Sequence, residues 1–305
     1  MPITLSQLAT FLAVARSGSV TAAAEQLVVT QPSVSAALSA LSRDLGVELT
    51  RKVGRGIALT AAGEEFARHA AAALGQLDQG RRAATEAAGI AARQVRVAAV
   101  TTAAESLMPR LMQRFAVKHP EVELTLEVAN RQRVFQQVLD GVADVAVGGS
   151  PPRDGRLAAT RILANEIVLI VAPDDGLARQ RSVSWDDVTR RTWLLREEGS
   201  GTRALVLSLL AEHEVRPSTL TIGSNGAIKQ AVRIGLGVSL QSRIAVELEL
   251  ESGVLATARL PGLPARDWHV LWNAAAPVRA PVQTFLDFVR GDLDERLENR
   301  LASPR

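Results

Sequence analysis

At 305 residues the chain exceeds the roughly 250 to 300 at which a single hydrophobic core stops growing, so two or three domains are expected. Hydrophobic residues make up 47% and charged residues 22%, which is enough apolar surface to offset the entropy of ordering and excludes a disordered tail. Lys and Arg number 35 against 32 Asp and Glu, a net charge of +3 that does not by itself argue for nucleic acid; the absence of cysteine excludes disulfides, thiolate metal sites and a thiol nucleophile.

Residues 1–12 show no basic segment followed by a continuous apolar run, and no stretch reaches the roughly 18 uninterrupted apolar residues of a membrane span. A cytoplasmic protein with no membrane partner is the expectation.

In chain order, Leu5, Leu8, Phe11, Leu12 and Ala15 recur at three and four, the buried face of an amphipathic helix that stops at Ser17-Gly18-Ser19. A short helix is predicted over Val20 to Leu27. A third runs from Gln31 to Leu45, with Val34, Leu38, Leu41 and Leu45 on one face, Thr30 as N-cap and Pro32 in its first turn. Two helices joined by Val28-Val29-Thr30 form a helix-turn-helix, whose second helix can enter a major groove. Leu49 to Leu59 reads as a hairpin whose tip holds Arg51, Lys52 and Arg55 around glycines that permit a tight turn.

A long Ala-rich helix is predicted from Thr60 to about Ala92, with Phe66, Ala70, Leu74, Leu77, Ala84 and Ala88 on one seam. It reads as a linker that pairs with another copy, because Gly75, Gly80 and Gly89 each weaken it by about 1 kcal/mol relative to Ala.

After Arg93 strands and helices alternate: strand Val95 to Val100, helix Ala104 to His119, strand Glu123 to Val128, helix Arg133 to Asp140, strand Val145 to Val147. That is the βαβαβ grammar of a parallel sheet covered by helices. A second unit takes in Glu166 to Ala172, a helix Thr202 to His213, Thr219 to Ile222, a helix Ala227 to Ile234 and Val238 to Gln241. The chain then returns to the first unit at Trp268 to Trp272 and ends in a helix from Pro281, leaving a cleft between two α/β lobes.

The stretch Phe11 to Gly63, FLAVARSGSVTAAAEQLVVTQPSVSAALSALSRDLGVELTRKVGRGIALTAAG, resembles the N-terminal domain of LysR-type transcriptional regulators. The match covers the alanines of the second helix, the T-Q-P-S-V-S opening of the third, the L-x-x-L-G-V-x-L passage, the basic wing and the L-T-x-A-G that starts the linker. The remainder resembles the family's two-lobed periplasmic-binding-protein-like effector domain. Asn130-Arg131, Pro151-Pro152, the run Arg196 to Arg203 and the run Ser224 to Ala231 are similar to activators of carbon-fixation operons. Ser150 stands where such regulators commonly carry arginine, a departure that bears on the effector's charge, and Ala36 stands where many relatives place another.

The resemblance implies an α/β fold class with an all-α winged helix-turn-helix N-terminal domain. Residues 1–60 would be the DNA-binding domain, 61–92 a dimerising linker helix and 93–305 the effector domain, with lobe I about 93–162 and 268–305 and lobe II about 163–267. The implied partners are double-stranded DNA, further copies of the chain as a dimer or dimer of dimers, a small anionic metabolite, and RNA polymerase as a candidate; no cofactor is implied.

Resemblance and geometry together assign DNA contact to Thr30, Gln31, Pro32, Ser33 and Ser35 at the start of the recognition helix, and to Arg51, Lys52 and Arg55 in the wing. Gln31 can pair with adenine, Pro32 can lie against a thymine methyl, and the serines suit phosphate or base. The same five residues would equally cap an ordinary helix, and a charged hairpin tip is often only solvated surface.

For the effector, Thr101 and Thr102 follow the first strand of lobe I, Ser200, Gly201 and Thr202 open a helix of lobe II, Asn130 and Asn225 lie near strand ends, and Arg203 is an available cation. Hydroxyls and free N–H groups at helix starts suit a carboxylate, phosphate or sulfur oxyanion, though Ser and Thr cap helices without any ligand too.

No catalytic or metal constellation is found: His69, His119, His213 and His269 lack metal spacing, and the Trp185 and Trp193 pair reads as packing. A solute-binding protein, an α/β enzyme with a DNA-binding head and a DNA binder with an empty cleft are the competing classes.

Overall fold

The computed structural model describes residues 3–54, 56–89 and 93–292. They form two compact units, one made of the N-terminal elements with Leu139–Val142, the other of the elements from the first sheet strand onward. Among the described residues, no helix is long and apolar enough to cross a membrane.

In the first unit, α1 (Leu5–Ser17) begins in a capping box, with Gln7 N–H donating to Thr4 Oγ1 at 3.2 Å and Thr4 N–H to Gln7 Oε1 at 2.7 Å. Gly18, at φ 64°, ends it. α2 (Val20–Leu27) is capped by Ser19, and α3 (Gln31–Leu45) by Thr30. The three enclose Phe11, Val14, Ala23, Val34 and Leu41, all essentially buried.

The hairpin β1 (Thr50–Val53) and β2 (Gly56–Leu59) pairs Thr50 with Leu59 and Val53 with Gly56; Ile57 N–H donating to Gly18 O at 2.9 Å ties it to the end of α1.

α4 (Ala61–Ala87) stops short of the expected Ala92 because Gly89 takes a left-handed φ of 68° just past its end. Within the chain, Phe66, Ala70, Ala71 and Leu74 of its first half pack on the head core, with the Phe66 ring 5.6 Å from Phe11. Leu77, one turn on, is about half exposed. Gly63 cannot bear a side chain, since a Cβ there would overlap the Leu49 carbonyl.

The second unit opens with β3 (Arg93–Val100), α5 (Thr101–Ser106) and α6 (Met108–Lys118). The single helix expected over Ala104 to His119 is broken at Leu107, where Pro109 sits in the first turn of α6 and donates no N–H to a continuing ladder. β4 (Val122–Ala129), α7 (Arg131–Leu139), β5 (Val145–Gly148) and the unexpected β6 (Leu157–Asn165) complete the outgoing half of lobe I.

Lobe II runs through β7 (Ile167–Val171), α8 (Trp185–Thr189), β8 (Trp193–Leu195), α9 (Gly201–Glu212), β9 (Thr219–Thr221), α10 (Asn225–Arg233), β10 (Ser239–Ser242), α11 (Glu247–Glu251) and β11 (Ala256–Ala258). β12 (Arg266–Asn273) and α12 (Ala280–Asp292) return to lobe I.

The lobe I sheet has the order β4-β3-β5-β12-β6; β3 is parallel to β4 and β5, and β12 antiparallel to β5 and β6. In lobe II, β10-β7-β11 is antiparallel, while β8-β9 is a parallel pair. The parallel arrangement expected of lobe I holds for β3, β4 and β5; for lobe II no direction is legible in the sequence, since all of β7 is buried and an unbroken apolar run carries no information about strand direction. Leu194 N–H to Val238 O and Val238 N–H to Thr192 O, both 2.8 Å, join the two parts. Trp185 stacks on buried Trp193 at 6.0 Å and on His213 at 4.3 Å, a packing role.

Candidate functional site

The first unit presents an exposed polar helix start. Val28 closes α2 at φ 56°, ψ 46°, and the chain turns at once into Thr30, whose Oγ1 accepts Ser33 N–H at 3.4 Å and shares a 2.8 Å hydrogen bond with Ser33 Oγ. Thr30 and Ser33 are thus engaged in capping, while Gln31, Pro32 and Ser35 stand exposed beside them.

Arg51 and Lys52 are exposed on β1; Arg55 lies outside the described residues. Ser35, Arg51 and Lys52 line one groove of about 710 Å³ together with Ser39 and Arg43 from later turns of α3. The last two escaped the sequence reading, although Ser35, Ser39 and Arg43 recur at the four-residue step that puts side chains on one helix face.

The second unit holds a cleft between its lobes. Thr101, Thr102, Asn130, Ser200, Gly201 and Thr202 all line it. Thr101 and Thr102 lie inside the six-residue α5 and not ahead of a long helix, whereas Ser200 caps the twelve-residue α9, its Oγ accepting Arg203 N–H at 3.5 Å.

Asn225, expected at the ligand, is not part of the lining: it is 1% exposed, donates to Thr102 Oγ1 at 3.1 Å and accepts from Arg196 Nη1. Arg203 is turned away too, donating to Arg196 O at 3.0 Å and Thr221 Oγ1 at 3.1 Å.

The cations that do line the cleft are Arg131, Arg196 and Arg266. Arg196 is buried, held on both oxygens of Glu197 at 2.7 and 3.0 Å and donating to Thr101 Oγ1 at 3.4 Å. Arg131 donates to Ser150 O at 2.9 Å and lies over the Phe135 ring at 4.5 Å. Arg266 opens β12 opposite Asn165, where the chain crosses back between lobes. Burial pushes the Arg131 guanidinium below its ordinary range; Arg266 is pushed down by burial and further by the charge on Arg131.

Asn165 and Ser242, bonded to each other at 2.5 Å, and Trp268 complete the floor. Arg266, Asn165 and Trp268 carry no local sequence signal; only the pairing of β6 with β12 brings them to the site.

Bonds also cross the cleft. Besides Arg196 to Thr101 and Asn225 to Thr102, Asn130 Nδ2 donates to Glu198 O and Gln132 N–H to Gly199 O, both at 3.3 Å.

A helix-turn-helix head with a basic hairpin, joined in one chain to a two-lobed α/β module with a cationic cleft, defines a transcription regulator with a separate binding module. Comparison with known proteins gives the family. Residues 5–64 match the bacterial regulatory helix-turn-helix protein, lysR family, and residues 88–294 match the LysR substrate binding domain. The chain belongs to the LysR family.

It is 32% identical to the HTH-type transcriptional activator CmpR of Synechocystis over 94% of each chain. It is 35% identical to the RuBisCO operon transcriptional regulator of Allochromatium vinosum over 95% of this chain and 96% of that one. These relatives make it similar to the activators of carbon-fixation operons. The Synechocystis CcmR regulatory domain, solved in complex with 2-PG, superposes with a TM-score of 0.63 at 30% identity, covering 67% of this chain and 98% of that domain.

Proposed function

We propose that the protein is a homo-oligomeric, sequence-specific transcription regulator whose output is switched by a small anionic metabolite held between the lobes of its second unit. The observation that carries the reading is the cationic cleft in a chain whose other unit is a LysR-family DNA-binding head.

The start of α3 reads the major groove: Gln31 suits a bidentate bond to adenine, Pro32 a thymine methyl, Ser33 and Ser35 phosphate or base. Arg51, Lys52 and Arg55 hold backbone phosphates from the wing, with Arg43 on the same side as Arg51 and Lys52. The cleft contacts of Thr101, Thr102, Asn130, Ser200, Gly201 and Thr202 are to the ligand, and Asn225 positions Thr102 and Arg196 for it.

The protein works by binding and not by turnover, in the cytoplasm with its DNA, and RNA polymerase is its partner at the promoter. The 2-PG bound by the CcmR domain supports a small anion as ligand. Switching is a population shift, which requires that the ligand bind one arrangement more tightly than the other.

The test is a gel shift of the full chain on the DNA upstream of its own gene, with excess nonspecific competitor and a panel of small anions including 2-PG. A competitor-resistant complex whose mobility or affinity responds to one anion is expected. Absence of any competitor-resistant complex on this DNA and in a genome-wide selection would overturn the reading.

A further inference from the structure

We infer that the ligand is a compact dianion, a tetrahedral oxyanion carrying two charges, gripped between Arg131 and Arg266; this rests on the regulator reading and narrows it to one class of effector.

The charge count comes from how the three cleft arginines are compensated. Arg196 is neutralised by the bidentate Glu197 carboxylate. Arg131 has a backbone carbonyl and an aromatic face but no carboxylate, and Arg266 has no hydrogen-bond or ion-pair partner among the described residues. The neighbouring β6 arginine behaves differently: Arg161 pairs with Asp267 at 2.9 Å. Two partly desolvated guanidiniums left to repel each other are costly unless a counter-charge of matching size arrives, and a guanidinium is the side chain best suited to bind an oxyanion through two parallel N–H donors.

The size comes from the cavity. At about 50 Å³ it has room for a few water-sized groups, enough for a tetrahedral oxyanion.

The remaining donors fit such an ion. Thr101 and Thr202 supply hydroxyls, and the Gly201 and Thr202 N–H groups, ahead of the Arg203 N–H that Ser200 caps, have no intrahelical acceptor. Trp268 also lines the cavity.

The experiment is calorimetric titration of the full chain, at matched ionic strength, with sulfate and with perchlorate, which has the same shape and one charge. Inorganic phosphate and 2-PG form further arms. Sulfate should bind at least tenfold more tightly than perchlorate, and phosphate should tighten as rising pH removes its second proton while sulfate stays constant. Arg266→Gln should weaken sulfate at least tenfold and Arg266→Lys less; Arg156→Gln, which removes an exposed cation paired with Asp154, should leave it within twofold. Circular dichroism shows whether each variant is folded.

Equal binding of sulfate and perchlorate, or an Arg266→Gln variant that is folded and binds sulfate like the parent, would overturn the dianion. Binding of 2-PG without any binding of sulfate or phosphate would overturn the compact size. In each case an intact, anion-responsive gel shift leaves the regulator reading standing, so the two failures are distinguishable.

Discussion

Val28 carries a testable cost at the centre of the helix-turn-helix. It is β-branched, sits at φ 56°, ψ 46°, and is 91% exposed. The left-handed region costs an L residue about 1–2 kcal/mol, more for a β-branched side chain, and at that exposure almost no burial is gained in return. Asn tolerates this conformation, so Val28→Asn should stabilise the first unit by about 1 kcal/mol, and Val28→Ala, which keeps a Cβ, by clearly less.

For a unit of this size a change of 1 kcal/mol moves the melting midpoint by roughly 4–8 °C. All four tryptophans lie at 185, 193, 268 and 272, in the second unit, so their fluorescence is blind to the head. The assay is therefore scanning calorimetry, with hydrogen exchange of the α2 amides as the local readout. If Asn and Ala shift the head transition equally, or Asn lowers it, the strain argument is wrong.

Two further outcomes follow from the same geometry. Replacing Arg51 and Lys52 by Ala should flatten the salt dependence of DNA affinity by about 0.9 in log-log slope for each phosphate no longer neutralised, equivalent to about a 3.5-fold change per phosphate over a fourfold rise in salt; an unchanged slope removes the wing from the interface. Asn225→Ala leaves Arg196 Nη1 and Thr102 Oγ1 without their partner in the second unit, so that unit should lose about 1–3 kcal/mol in denaturant unfolding followed by tryptophan fluorescence, while the head transition stays put.

The head was legible because its signals are local. Thr30 before Pro32, Gly18 and Gly46 just past helix ends, and apolar residues at three and four fix helices without reference to distant chain. Hydrophobic period likewise located most strands of the second unit but could not orient β7 and β10, nor reveal β6, whose pairing with β12 joins residues about a hundred positions apart.

The same limit governs the site. Hydroxyls and glycines at element starts were visible as a pattern, but the choice among the arginines was not. Arg203 looked available and turns out to hold a carbonyl, while Arg266 stood in an unremarkable stretch and reaches the floor only through sheet topology.

That distribution of charge bears on how a ligand could shift a population. The cross-cleft bonds from Arg196, Asn225, Asn130 and Gln132 join the two lobes directly. Neither Arg131 nor Arg266 has a carboxylate partner among the described residues. Both guanidiniums stand on lobe I, Arg131 at the start of α7 and Arg266 at the start of β12, so a dianion held by them couples to the lobe arrangement through the lobe II groups that line the same cavity, Ser200, Gly201 and Thr202. A monoanion of the same shape neutralises only part of that charge and is held less tightly by lobe I; the shift it causes cannot exceed its difference in affinity between the two lobe arrangements.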